Sequence, residues 1–208
     1  MTGQPADGRT RVLLVRHGET DWNRKRRIQG WAPSSLNDRG REQARAVGEH
    51  IAAAYDVDRV VASDLRRTRE TTALVREAGV DPEPTFLRAW RERDFGVYQG
   101  LGYDELFERH PEFAAESGGV ALRAQPAGGE RLPEAYERVV DGWTHLCAEA
   151  VGETVLVVTH GGPIYFVLGH VKGQDVLTAV QAHSLDNCGV TELLVGAETE
   201  LVRENETV

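Results

Sequence analysis

Short apolar runs alternate along this chain with longer stretches whose apolar residues recur every three or four positions. The runs are Val12-Leu13-Leu14-Val15, Val60-Val61-Ala62 and Val155-Leu156-Val157-Val158. Segments of that length, β-branched and apolar at every position, suit strands covered on both faces, as in a parallel sheet between helices. Between the first two runs, Ala44, Val47, Ile51 and Ala54 form a helical stripe that Asn37 or Asp38 can cap. A second helix is expected after Asp64, carrying Leu65, Thr68, Thr72 and Val75 and stopping at Gly79. The longest spans about 133–151, with Pro133 in its first turn, Gly152 past its end, and a stripe of Ala135 or Tyr136, Val139, Trp143, Leu146 or Cys147, and Ala150. Residues 189–195 and 200–203 read as a terminal hairpin or edge strand. Strand-helix-strand order predicts a three-layer α/β fold with a mostly parallel central sheet flanked by helices.

Residues 101–130 break this rhythm. A short helix candidate at 103–109 is followed by Pro111, Gly118-Gly119, Pro126 and Gly128-Gly129. This segment reads as an insertion over one end of the sheet within a single domain spanning 1–208, whose first nine residues are expected to be mobile.

Composition narrows the function classes. With 24 Lys and Arg against 33 Asp and Glu, the net charge is −9, which disfavours a nucleic-acid partner. No apolar stretch approaches the roughly 20 residues of a membrane span, and the polar start lacks a signal-peptide core. Cys147 and Cys188 match neither a disulfide framework nor a zinc pattern, and no H-x-x-x-H pattern or carboxylate cluster suggests a metal site. The expectation is a cytoplasmic protein without cofactor, metal or membrane partner.

The candidate chemistry sits where apolar runs end. Val15 is followed by Arg16-His17-Gly18, and Val158-Thr159 by His160-Gly161-Gly162-Pro163. In open α/β sheets, ligands bind at the carboxyl ends of strands. Two such endings in one sheet would bring His17 and His160 to the same rim. Arg16 offers a planar fork for an oxyanion, His17 a base, acid or nucleophile, and Gly18 a close backbone approach to a ligand. The remaining run, Val60-Val61-Ala62, ends in Ser63-Asp64-Leu65-Arg66-Arg67-Thr68, where a helix N-terminus already favours an anion.

Together these residues resemble the histidine phosphatase family of the phosphoglycerate-mutase-like type. The likeness runs in order through residues 14–23 (Leu-Val-Arg-His-Gly-Glu-Thr-Asp-Trp-Asn), Gln29-Gly30, Leu36, Gly40, Gln43-Ala44 and Ser63–Thr68. It continues through Glu92 with Phe95-Gly96, Gln99-Gly100, Gly128-Gly129-Glu130, His160-Gly161-Gly162 and Asn187-Cys188. The resemblance implies that His17 takes up the phosphoryl group. Arg16, Arg66 and His160 would hold the phosphate oxygens, and Asn23 would be a further phosphate ligand, with Gln29 and Gly30 at the mouth. Glu92 would protonate the leaving oxygen and then activate water. Phosphoryl transfer asks mainly for positioning and positive charge, which these groups supply without a metal. The implied substrate is a small phosphorylated metabolite, and homo-oligomers occur in the family.

Bland readings stand beside these. Trp22 and Trp31 are expected as wall or core, Glu19 and Thr20 as loop supports, and His50, His110, His145, His170 and His183 as non-catalytic. The run Arg24-Lys25-Arg26-Arg27 is either a solvated face or a steering funnel for anions. Asp94 is a rival to Glu92, since alternation along an extended segment puts both on one face. Pro33, Ser35 and Tyr165 depart from the family's usual Asp, Pro and Arg, which bears on local packing and substrate preference. Three functions compete: a phosphomonoesterase, a phosphoglycerate mutase and a non-catalytic phospho-ligand module. The short acidic segment after the last strand favours the first over the second, and the presence of His17, Glu92 and His160 disfavours the third.

Overall fold

The computed structural model describes residues 8–182 and 184–208. Of the start expected to be mobile, residues 1–7 lie outside the described residues, and Arg9 is tied to Glu200 by an ion pair of 2.7 Å. Six strands form one sheet: β1 (Thr10–Arg16), β2 (Arg59–Ala62), β3 (Pro84–Phe86), β4 (Thr154–Thr159), β5 (Val190–Val195) and β6 (Thr199–Glu206). Their order is β3-β2-β4-β1-β5-β6. The first four pair in parallel, and β5 and β6 add an antiparallel hairpin at one edge. The helices are α1 (Asp21–Arg24), α2 (Asp38–Ala54), α3 (Arg66–Glu77), α4 (Tyr103–Arg109), α5 (Gly119–Arg123), α6 (Leu132–Glu149), α7 (Gly161–Val171) and α8 (Val176–Gln181).

Alternation along the central strands divides the core into two layers. Val12, Leu14, Val155 and Val157 face α6 and α7, where Ala135, Val139, Trp143, Leu146 and Phe166 cover them. Leu13, Val15, Leu156 and Val158 face α2 and α3, against Ala44, Val47, Ile51 and Val75. Strands covered on both sides have no polar face, which is why the runs are apolar at every position. Each fully buried Val or Leu contributes about 1.5–3 kcal/mol of hydrophobic stabilisation. The fold is therefore the three-layer α/β sandwich expected from the pattern.

Local signals place the helix ends. Asn37 is the cap of α2, its Oδ1 accepting from the Gly40 amide at 2.8 Å. The second helix begins at Arg66 and ends before Gly79, whose φ of +116° only glycine adopts readily. Four elements lack a pattern strong enough to announce them: α1, α5, α8 and the three-residue β3, which pairs with β2 through Val60↔Pro84 to Ala62↔Phe86. Residues 101–130 hold α4, two 3-10 turns and α5, and they bury Leu106 and Phe113 with Ile28 in a small cluster of their own.

Candidate active site

Parallel pairing puts the two histidines side by side. Arg16 on β1 is in register with Thr159 on β4, so His17 and His160 follow at the same rim. The His17 amide donates to the Thr159 carbonyl at 2.9 Å, and the two rings meet edge to face with centroids 5.2 Å apart. On the other side of β4, Ala62 lies opposite Val158 and delivers Ser63 and the start of α3 to the same place. Three strand ends thus converge.

Hydrogen bonds settle which nitrogen of His17 can react. Nδ1 lies 2.8 Å from the Gly18 carbonyl oxygen, a pure acceptor, so Nδ1 carries the proton. Nε2 is left with its lone pair and accepts from Arg67 Nε at 3.1 Å. The ring is buried. Burial first, then the Arg67 and Arg16 guanidiniums, hold its pKa well below the ordinary 6.5. A neutral imidazole with an unprotonated Nε2, here hydrogen-bonded to a guanidinium, has the chemistry a nucleophile needs.

The arginine at the centre of the site is Arg67, not Arg66. Arg67 is 1 % exposed and joins the His17 ring to the loop at 30–34: Nη2 donates to the Gly30 carbonyl at 2.8 Å and Nη1 to that of Ala32 at 3.3 Å. Burial lowers its pKa to about 10, which leaves it cationic at neutral pH. Arg66 points outward, its side chain 60 % exposed and paired with Glu70 one turn on. The helical phase of α3 explains the correction. Arg67 is four residues before Thr71 and eight before Val75, all buried, whereas Arg66 shares its face with Glu70.

His160 and Arg16 complete the rim, one neutral and one cationic. His160 Nε2 lies 2.8 Å from Ser63 Oγ, and Ser63 Oγ also accepts from the Leu65 amide. The other ring nitrogen, Nδ1, is a buried atom without a partner among the described residues. Burial, followed by Arg67, His17 and Arg16, pushes the His160 pKa well below 6.5. Arg16 donates through Nη1 to the Leu185 carbonyl, while its buried Nε has no partner among the described residues. A buried guanidinium N–H left over at this rim suits an oxyanion.

Glu92 approaches from a loop above the rim. Its Oε2 accepts from the Gly162 amide at 3.2 Å, in the first turn of α7, and its Oε1 from the Arg93 amide at 2.9 Å. A side chain at Gly162 would run into that carboxylate, which accounts for the second glycine of His-Gly-Gly. Asp94 turns to its own loop, capping the Gly96 amide at 2.8 Å, and does not line the cavity.

The cavity has a volume of about 580 Å³ and is lined by Arg16, His17, Asn23, Gln29, Gly30, Arg67 and Glu92 among others. Of the eight residues named from the sequence, it brings together every one except Arg66 on its walls or, for His160, against the His17 ring. The Asn23 amide oxygen caps Thr20, which leaves Nδ2 for a ligand. Gln29 Oε1 accepts from Thr20 and Ser34. Gly18 does not face a ligand. It packs against the Gly40 backbone, where a Cβ would strike the carbonyl oxygen.

The model of the histidine phosphatase superfamily, branch 1, matches residues 12–207. The chain belongs to the histidine phosphatase superfamily. Two Arabidopsis thaliana proteins are similar to it. One is phosphoglycerate mutase-like protein 4, 38% identical over 74% of this chain and 67% of that one. The other is a metal-independent phosphoserine phosphatase, 36% identical over 74% and 65%. The chain thus spans about two thirds of these relatives' length. A probable phosphoglycerate mutase GpmB of Salmonella choleraesuis is 32% identical over 88% and 83%. Among solved structures, Bacillus stearothermophilus YhfR superposes with a TM-score of 0.85 at 28% identity, covering 96% of this chain and 98% of that one. Phosphoserine phosphatase of Entamoeba histolytica, in complex with 3-phosphoglyceric acid, gives 0.81 at 25% identity, covering 95% and 98%.

Other residues of this histidine phosphatase take supporting places. Of the basic run, Arg24 pairs with Asp21 and Arg26 with Asp104, and Arg27 lines the cavity. Trp31 is more than wall: its Nε1 donates to the Glu92 carbonyl at 2.7 Å, and the Arg88 and Arg91 guanidiniums flank its ring at 4.7 and 4.5 Å. Glu19 and Thr20 brace the loop through Gln43, Asn37 and Asn23. His50, His110, His145 and His170 lie off the cavity walls, and His183 is outside the described residues. Tyr165, where the family often has arginine, lines the cavity. Sequence reading passed over Arg93, a 5 % exposed guanidinium on the cavity wall whose Nη2 has no partner among the described residues. Its only sequence signal was adjacency to Glu92. No helix is long and apolar enough to cross a membrane among the described residues.

Proposed function

We propose that this chain is a metal-independent phosphomonoesterase working through a phosphohistidine. The observation that carries the reading is the lone pair on His17 Nε2, held beside Arg67 in a cavity that Glu92 also lines. In the first step Nε2 attacks phosphorus, the bond to the leaving oxygen breaks, and Glu92 gives that oxygen its proton. Arg16, Arg67 and His160 stabilise the charge on the equatorial oxygens, and Asn23 adds a donor. The Gly18 carbonyl at Nδ1 stabilises the positive charge that the ring gains. In the second step water attacks phosphorus, the Glu92 carboxylate takes its proton, and the N–P bond breaks to release phosphate and neutral His17.

Similarity to a metal-independent phosphoserine phosphatase supports hydrolysis. The alternative, return of the phosphoryl group to a sugar-acid hydroxyl, is supported by similarity to the probable mutases. Residues 199–206 are held in β6 and none lines the cavity, so this stretch leaves the phosphohistidine open to water. Arg93 extends the cationic lining and suits a second anionic group on the substrate, such as a carboxylate. The compartment we infer is cytoplasmic, with a small phosphorylated metabolite as substrate.

Turnover of O-phosphoserine and 3-phosphoglycerate in excess EDTA tests the reading. Inorganic phosphate is expected to exceed isomerised product, and quenched enzyme is expected to carry acid-labile, base-stable phosphate that His17→Ala lacks. Loss of activity in EDTA sinks the metal-independent route, and clean isomerisation without phosphate release makes the chain a mutase.

A further inference from the structure

Glu92 sits on a segment, residues 88–96, that pairs with no strand. Its local turns serve the Arg88, Phe95 and Gly96 carbonyls, and others need partners from outside. Arg138, on α6, supplies them. Its Nη1 donates to the carbonyl oxygens of Ala89 and Arg91, each at 3.0 Å, and of Arg88 at 3.3 Å, while Nη2 reaches that of Glu92 at 3.3 Å. The opposite edge of the same guanidinium grips Glu130 in a two-pronged pair, Nε to Oε1 at 2.9 Å and Nη2 to Oε2 at 2.8 Å. Glu130 then closes the frame, because its Oε2 accepts from the Asp94 amide at 3.1 Å and its own amide donates to the Asp94 carbonyl at 2.9 Å.

The frame is rigid for physical reasons. An Arg–carboxylate fork fixes orientation as well as distance, and both side chains are mostly buried, at 17 % and 18 % exposure. It spans both sides of Glu92, holding 88–92 from one edge and Asp94 from the other. Trp31 adds a second donor to the Glu92 carbonyl at 2.7 Å, from the loop beside Gly30. Arg138 does not itself line the cavity.

We propose that Arg138, locked by Glu130, is a positioning residue for Glu92, holding its carboxyl where it can protonate the leaving oxygen. The proposal rests on Glu92 being the proton donor. A general acid contributes about 10²–10⁴-fold and needs hydrogen-bond reach to the departing atom. A displacement of about 1 Å costs on the order of 10²-fold. Releasing the frame therefore removes proton donation and leaves the His17 nucleophile and its cations in place. That loss is selective: an alkoxide leaving group depends on the proton, and p-nitrophenolate hardly does.

The test compares Arg138→Met, Arg138→Lys and Glu92→Gln on an alkyl phosphate and on p-nitrophenyl phosphate, with rates normalised to phosphorylatable His17. Arg138→Met is expected to lower kcat on the alkyl phosphate about 10²-fold. Phosphorylation of His17 by p-nitrophenyl phosphate is expected to stay within about threefold and KM to move little, since the cations that bind phosphate are untouched. Arg138→Lys, which keeps the charge but not the fork, is expected to recover part of the loss. If Arg138→Met instead lowers the rate of His17 phosphorylation equally with both substrates while Glu92→Gln shows the leaving-group dependence in that step, Arg138 only stabilises the fold and the proposal is wrong. If Glu92→Gln itself shows no such dependence, the assignment of the proton donor fails first. Should Arg138→Met not fold, Glu130→Gln keeps the shape, weakens the fork and carries the same comparison.

Discussion

Arg66 and Arg67 are neighbours in the chain with opposite fates, and the difference is measurable. Arg67 holds the lone-pair side of His17 and three acceptors of the loop at 30–34, whereas Arg66 makes a surface pair with Glu70. Losing a donor that meets developing charge costs about 10²–10³-fold. Arg67→Lys is expected to lower kcat/KM by that order, because an ammonium cannot span His17 and Gly30 together. Arg66→Ala is expected to stay within about threefold and to change stability by less than about 1 kcal/mol, the usual worth of an exposed pair. Initial rates and thermal denaturation of the two variants check this directly. Equal losses would return Arg66 to the site. At this scale residue types were legible and side-chain direction was not, since direction depends on helical phase to within one residue.

Among the elements, the turn that leaves β1 is the most constrained. Gly18 and Gly40 pack backbone against backbone, so the strand that ends at His17 is pressed onto the first turn of α2. Gly18 has no unusual φ to favour glycine; the need is for space alone. Gly18→Ala is expected to destabilise the fold by about 1–3 kcal/mol or more, the range for overpacking, with nowhere for backbone atoms to yield. The melting temperature should fall and His17 reactivity with it. An unchanged melting curve would show that the turn has slack. In the sequence, Gly18 read as room for a ligand. Only packing reveals that the neighbour is residue 40.

Taken whole, the molecule buries two uncharged histidines under a cluster of arginines, and stability must therefore depend on pH. The folded-state pKa values of His17 and His160 both lie well below 6.5, mainly through burial. Below about 6.5 the unfolded chain takes up protons that the folded chain refuses, so stability falls as pH drops, by up to about 1.4 kcal/mol per pH unit for each ring. The loss continues until the depressed folded values are reached. Urea midpoints between about pH 7 and 5, in buffer without phosphate, should decline steadily, and His160→Gln should flatten the slope by roughly half. A slope that the substitution leaves unchanged would mean that His160 is not the group responsible.

The sequence by itself determined the two-faced burial of β1, β2 and β4, the start of α2 to within one residue, the span of α6 to within two, and the meeting of His17 with His160. Each follows from periodicity or from a strand ending in a known residue, and parallel pairing carries such local facts to one rim. Tertiary structure alone decided three things: that Arg67 faces His17, that Arg93 lines the cavity, and that Trp31, Glu130 and Arg138 hold the Glu92 segment. Glu92 lies on irregular chain, where no period assigns a face and the carbonyls of Ala89, Arg91, Glu92 and Asp94 are met by residues distant in sequence. Which donors reach it is a property of how α6 packs on the sheet, and no window of the chain contains that information.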